Sequence, residues 1–160
     1  MSAYAIERER SDGGRRSWAT DENARRAMRG NRRVDTKPEK ALRSALHRNG
    51  LRFRRDLLLD LGGIRVRPDV TFTRRRVAVF VDGCFWHGCP EHCRLPRANR
   101  DYWTAKIAGN IERDRAVDAA LSAAGWSVIR VWAHDDPGLH VARIARAVEA
   151  RDRISDELAT

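Results

Sequence analysis

Val77-Ala78-Val79-Phe80-Val81 is the longest uninterrupted apolar run in the chain. Arg74-Arg75-Arg76 precede it and Gly83 follows closely behind it. A short, β-rich run of this kind reads as a strand buried on both faces, and such a strand needs a layer on each side of its sheet. It falls far short of the roughly 18–20 residues that span a bilayer. The N-terminal stretch has no apolar h-region, so no secretory signal is expected. These features argue against a membrane protein and against a secreted disulfide scaffold.

Other elements can be placed around that strand. Thr36-Lys37-Pro38-Glu39 fits a capping box, with Thr36 as N-cap, Pro38 in the first turn and Glu39 at N3. The helix it opens has Leu42, Ala45 and Leu46 as its apolar stripe, and Gly50 stops it. Short strands are expected over Leu51–Arg54, over Leu57–Leu59 before the Gly62-Gly63 turn, and over Asp69–Thr73. Residues 82–100 read as loop, punctuated by Gly83, Gly88, Pro90 and Pro96. A long helix is expected from Asp101 to Ala124, with Trp103, Ile107, Val117 and Leu121 on its apolar side and Gly125 at its end. Trp126–Trp132 alternates like a strand, and Leu139–Arg151 closes the chain as an amphipathic helix. The expected class is α/β, a mixed central sheet flanked by helices. With 160 residues, one domain with a substantial core is expected, over residues 31–155. Residues 1–30 lack a sustained apolar period and read as a mobile basic arm, with a short helix over Asp21–Arg29.

Charge narrows the partners. Lys and Arg total 32 against 22 acids, for a formal net charge of +10. Sixteen of those bases and seven of the acids fall within residues 1–55, so most of the excess lies in the first third. A basic arm on a near-neutral body suits a polyanion, because each phosphate contact releases counterions. The plainer alternative is a solvated surface in an Arg-rich proteome.

All three cysteines, Cys84, Cys89 and Cys93, lie within ten residues, and His87 and His92 lie among them. An odd, clustered set points to a reducing compartment and a metal rather than disulfides. Cys84, Cys89 and His92 offer thiolate and imidazole at spacings that wrap a tetrahedral ion, for which zinc is the best match. His134, just past the last strand, is the best fourth donor, while Cys93 competes with its neighbour His92. The alternative is a set of buried free thiols.

Asp69, behind Pro68 at the head of a strand, could hold Mg²⁺ against a scissile phosphate. Alone it reads as a turn residue. Glu39 upstream adds a second carboxylate, and His87 downstream adds a group that moves protons near neutral pH. Phe85-Trp86 in the polar loop, with Trp103 on the next helix, could enter between base pairs or could simply cover the metal site.

The segment 81–93, with Pro68-Asp69, Tyr102-Trp-x-x-Lys-Ile107, Asn110-x-x-Arg-Asp114 and Gly125-Trp126…Val131-Trp132-x-His134, closely resembles the very-short-patch repair (Vsr) DNA mismatch endonucleases over about residues 20–135. That resemblance implies a fold like the PD-(D/E)xK restriction nucleases and a strand nick 5′ of the thymine in T:G mismatches, which arise when 5-methylcytosine deaminates. It implies double-stranded DNA as partner, with a functional link to a cytosine-5 DNA methyltransferase and a repair polymerase, in a monomer of the bacterial cytoplasm and nucleoid. Position by position, it makes Asp69 the Mg²⁺ ligand, the backbone carbonyl of Val81 a second ligand, His87 the proton-transfer residue and Glu39 the supporting carboxylate. Phe85, Trp86 and Trp103 become wedges beside the mismatch, and Met28 an apolar residue entering from the minor groove. Lys106 and Asn110 face the mismatched pair. Cys84, Cys89, His92 and His134 correspond to structural zinc ligands.

The sequence departs from the family pattern at two places. Asp82 stands where some members have His, which removes a phosphate contact or adds a metal ligand, and Cys93 is an extra thiol. The Lys of the commonest form of this nuclease site is also absent, leaving its place to His87. Two rival readings remain: a broader-specificity nickase linked to restriction–modification, and a zinc-containing DNA-binding module that does not cleave.

Overall fold

The computed structural model describes residues 35–157, with side chains through residue 151. The expected arm over residues 1–30, the short helix expected within it, and Met28 lie outside them.

Helix α1 spans Lys37–Arg48, with Pro38 in its first turn as expected. The capping differs in detail from the box read in the sequence. The Thr36 hydroxyl donates to Glu39 Oε1 at 2.7 Å, and Glu39 Oε2 accepts the Asp35 N–H at 2.8 Å. Glu39 therefore reaches one residue beyond the N-cap, and Thr36 caps no backbone N–H. Gly50, at φ +77°, closes the helix: its N–H bonds to His47 O and the Leu51 N–H to Leu46 O. That pairing is a Schellman motif, which needs the left-handed residue glycine supplies.

The same motif explains one difference from expectation. Leu51, whose N–H is spent on the helix end, begins an extended segment rather than a strand. Only Arg54 touches the sheet, through an isolated bridge with Thr71. The next strand, β1, is Leu59–Asp60, later than the expected Leu57–Leu59. It pairs antiparallel with β2 (Arg65–Val66), which the sequence did not suggest, around Gly62-Gly63.

The main sheet has three strands: β3 (Val70–Phe72), β4 (Val77–Asp82) and β5 (Ser127–Trp132). β3 runs antiparallel to the central β4, and β5 runs parallel to it, with Val77 opposite Ser127 and Asp82 opposite Trp132. Helix α2 (Arg100–Ala123) makes the crossover between the parallel strands, and α3 (Pro137–Glu157) ends the described chain. A mixed sheet between helices is thus present, smaller than a large central sheet.

β4 is covered on both sides, and its pleat sorts the layers. Val77, Val79 and Val81 join Val70, Phe72, Ile129 and Val131 under α1 and α3, which contribute Leu42, Leu46, Ile144 and Val148. Ala78 and Phe80 face the other way, against Val117 and Leu121 of α2 and Leu59, Leu61 and Val66 of the β1–β2 hairpin. Asp82, the next residue with that second orientation, is buried as well. The strand thus delivers a carboxylate into the α2 layer at the point where the loop begins.

Candidate active site and metal centre

Extending the β3–β4 register puts Pro68 opposite Val81, two steps past the last paired residues. Proline has no N–H to continue the ladder. It therefore offers the Val81 carbonyl no donor, while the Val81 N–H goes to the Asp69 side chain, whose Oδ2 accepts it at 2.7 Å. The carboxyl is thereby fixed at the fork where the strands part. Burial pushes the Asp69 carboxyl up to about 7, and the charges of Glu39, Asp56 and Asp82 add to the rise against the Val81 hydrogen bond. A carboxylate crowded by other acids in a partly desolvated corner favours a cation. Asp69 and the Val81 carbonyl are oxygen donors of the type hard divalent cations take.

Glu39 is buried, and both its oxygens already serve the start of α1. Arg43 lies 3.6 Å from Oε2 and also pairs closely with Asp35. Glu39 therefore acts on Asp69 through its charge while capping its own helix.

On the other side of β4, His87 Nδ1 lies 2.6 Å from Asp114 Oδ2 and 3.6 Å from Asp82 Oδ1. Asp82 is close enough to feel the charge of both His87 and Asp69. Arg130 closes this side. Its Nη1 donates to both Asp82 oxygens at 2.8 and 3.0 Å, its Nε to both Asp118 oxygens at 3.1 and 3.0 Å, and its Nη2 lies 3.4 Å from Asp114 Oδ1. Its guanidinium also lies 4.7 Å over the Phe80 ring. Three carboxylates keep Arg130 firmly protonated. Asp82, read in the sequence as a lost phosphate contact or an added metal ligand, has both oxygens taken by Arg130. A pocket of about 230 Å³ lies against this group, lined by His87, Asp114, Asp118, Arg130 and Trp132 among others.

Sequence reasoning missed Arg130, Asp114 and Asp118 as site residues. One signal was available: Asn110, Asp114 and Asp118 recur every four residues, so they share one helix face.

The loop over residues 83–93 is held by its own backbone, with His87 N–H bonded to Gly83 O, Cys89 N–H to Cys84 O and Cys93 N–H to Cys89 O. It is docked on α2 by the Asn110 amide, which donates to the Trp86 carbonyl at 2.8 Å. Gly88, at φ +66°, sits so close to the helix that an added Cβ would meet Ile111 Cδ1 at 2.8 Å. This docking brings Phe85, Trp86 and Trp103 into one cluster, with ring centroids 5.1 to 6.1 Å apart. Lys106 is exposed on the same helix, one turn after Trp103.

The loop also gathers its sulfur and nitrogen donors. One donor atom each from Cys84, Cys89, His92 and His134 lies within 4.8 Å of the others. Cys84 Sγ is 3.0 Å from His134 Nδ1, and Cys89 Sγ is 3.7 Å from His92 Nδ1. Cys93 stands outside the group, its thiol 3.7 Å from the Phe85 carbonyl. Burial and the neighbouring Cys89 push the Cys84 thiol above its ordinary range, a cost that a bound cation would remove. The structure so brings together four of the five donors picked out in the sequence.

Comparison with known proteins agrees with this geometry. The family model described as DNA mismatch endonuclease Vsr matches residues 18–95. The chain is 57% identical over 112 residues to the type II nicking enzyme V.NaeI of Lentzea aerocolonigenes, covering 69% of this chain and 68% of that one. It is 47% identical to the type II nicking enzyme V.XorIIP of Xanthomonas oryzae pv. oryzae, over 69% of this chain and 79% of the other. It is 33% identical to the DNA mismatch endonuclease Vsr of Escherichia coli, over 79% of this chain and 71% of that one. A relative this similar over two thirds of its length, with the site motifs in place, leaves one assignment: the chain belongs to the Vsr family.

Proposed function

We propose that the protein is a strand-nicking DNA endonuclease dependent on Mg²⁺, with a PD-(D/E)xK-like nuclease core. The observation that carries this reading is the Asp69 carboxyl, pinned to the Val81 N–H at 2.7 Å beside other acids. Asp69 and the Val81 carbonyl would hold Mg²⁺, which supplies charge stabilisation at the scissile phosphate and a more acidic water. His87, aligned by Asp114, moves the proton; Nδ1 is committed to Asp114, which leaves Nε2 for the reacting groups. Arg130 keeps Asp82 and Asp114 in place. Phe85, Trp86 and Trp103 stack on the opened base step, and Lys106 and Asn110 lie beside it. Zn²⁺ at Cys84, Cys89, His92 and His134 holds the loop that carries these groups.

The preferred substrate in this reading is duplex DNA with a T:G mismatch left by deamination of 5-methylcytosine, nicked 5′ of the thymine. The names of the two relatives at 57% and 47% identity, both type II nicking enzymes, favour a second reading, a nickase of broader specificity linked to restriction–modification. One assay separates the two. Duplexes carrying T:G, U:G, C:G or 5-methylcytosine:G at one position are incubated with Mg²⁺ or with EDTA, and nicks are mapped on both strands. A Mg²⁺-dependent nick confined to the T or U strand supports the repair substrate. Nicking of the fully paired duplexes as well supports the broader enzyme. No nick on any duplex leaves a DNA-binding module.

A further inference from the structure

Asp135 sits directly after His134 and uses both carboxylate oxygens. Oδ1 lies 3.1 Å from His134 Nε2. Oδ2 lies 2.9 Å from His140 Nε2 and accepts the Trp132 N–H at 3.2 Å. On its other edge, the His134 ring turns Nδ1 to Cys84 Sγ at 3.0 Å and to Cys89 Sγ at 3.9 Å. The only other acid against this ring is Glu91, at 3.7 Å and largely exposed among the described residues. His140 belongs to the first turns of α3, and its side chain is mostly buried.

We infer that Asp135 is the positioning residue of the Cys/His metal site: it holds a proton on His134 Nε2, leaves the Nδ1 lone pair for the metal, and is itself held by His140 and the Trp132 N–H. An imidazole offers a metal only the nitrogen that carries no proton, so the partner of the other nitrogen sets which one binds. The arrangement ties the loop over residues 83–93 to β5 and α3 through a single carboxylate. It rests on the reading that Cys84, Cys89, His92 and His134 hold a metal. His140 takes no part in that coordination; it braces the residue that aligns a ligand.

The test uses the full chain loaded with zinc. Long-range ¹H–¹⁵N NMR of the imidazoles reads the state of His134 directly, and competition with a chromophoric chelator reads zinc affinity. The expected result is His134 bound through Nδ1 with Nε2 protonated. Asp135→Ala should weaken zinc retention by about 10- to 100-fold, the usual effect of losing such a partner. Asp135→Asn, which keeps an acceptor for the Nε2 proton, should lose less than Asp135→Ala, and His140→Ala should lose least because the Trp132 N–H remains. Coordination through Nε2 in the wild type would overturn the inference, and so would wild-type affinity in Asp135→Ala with unchanged far-UV circular dichroism. Should Asp135→Ala not fold, the wild-type NMR result and Asp135→Asn decide. A wild-type protein that takes up no zinc would refute the metal reading itself, and this inference with it.

Discussion

Arg130 is where residue-scale energetics are most exposed to test. It neutralises Asp82, which is 6% exposed, and also contacts Asp114 and Asp118. Removing one member of a buried ion pair strands the other's charge, at a cost of about 3–5 kcal/mol. Arg130→Ala should therefore lower stability by that order in urea unfolding, whereas Arg130→Ala combined with Asp82→Ala should recover a large part of the loss. Equal stability of the single variant and wild type would contradict the arrangement. A second residue-scale expectation concerns His87, whose Nδ1 lies 2.6 Å from Asp114. His87→Ala should slow nicking by about 10²–10⁴-fold. Asp114→Asn should slow it by less and leave DNA affinity in place, measured by single-turnover cleavage beside fluorescence anisotropy. Asp114→Asn at the full wild-type rate would show that Asp114 does not align His87.

Among the elements, the loop over residues 83–93 is the most specialised. It spends its backbone on its own turns, Cys84, Cys89 and His92 on the Cys/His donor group, and its aromatic rings on one another. Trp86→Ala should weaken binding to a T:G duplex by about 1–3 kcal/mol, the range of one lost stacking contact, with metal content unchanged. Unaltered affinity would make the cluster a cover for the loop instead. The elements legible in the sequence were those with local signals: β4 from its apolar run, α1 from its cap and Gly50, and the C-terminal end of α2 from Gly125. The Cys/His cluster was legible because three of its four members lie within nine residues. His134 could be chosen because it follows a recognisable strand. Harder to see were β2, only two residues long, and the Arg130 network, whose contact with Asp82 bridges 48 residues. Arg130 occupies an alternate position in a strand, where periodicity shows which face it takes but not which acids it meets. The competition between His92 and Cys93 was likewise a matter of backbone direction: His92 joins the donor group, and the Cys93 thiol lies 3.7 Å from the Phe85 carbonyl.

At the scale of the whole molecule, an acidic fork sits in a chain of net charge +10. Residues 31–55 alone hold nine bases and two acids, and Lys40, Arg48, Arg52, Arg54 and Arg55 among them are exposed. No helix among the described residues is long and apolar enough to cross a membrane. The fork leaves a signature in global stability. The Asp69 carboxyl titrates at about 7 in the fold against 3.8 ordinarily. Between those values the folded chain keeps a proton that the unfolded chain has released, so this group's contribution falls as pH rises and levels off above about 7. Without added Mg²⁺, urea stability should decline from pH 5 to 8 more steeply in wild type than in Asp69→Asn, and Mg²⁺ should lessen the difference. Parallel pH profiles for the two proteins would contradict the burial of Asp69 among acids.

The most direct measurement pairs cleavage with binding in Asp69→Asn on a single T:G duplex. The substitution keeps the shape of the side chain and removes the charge that would hold Mg²⁺. Nicking should fall by orders of magnitude while duplex affinity stays within a few-fold of wild type, because the proposed reading assigns binding to the aromatic cluster and the basic surface and not to the metal. Cleavage by Asp69→Asn at the wild-type rate would contradict the assignment of the fork between β3 and β4 as the active site.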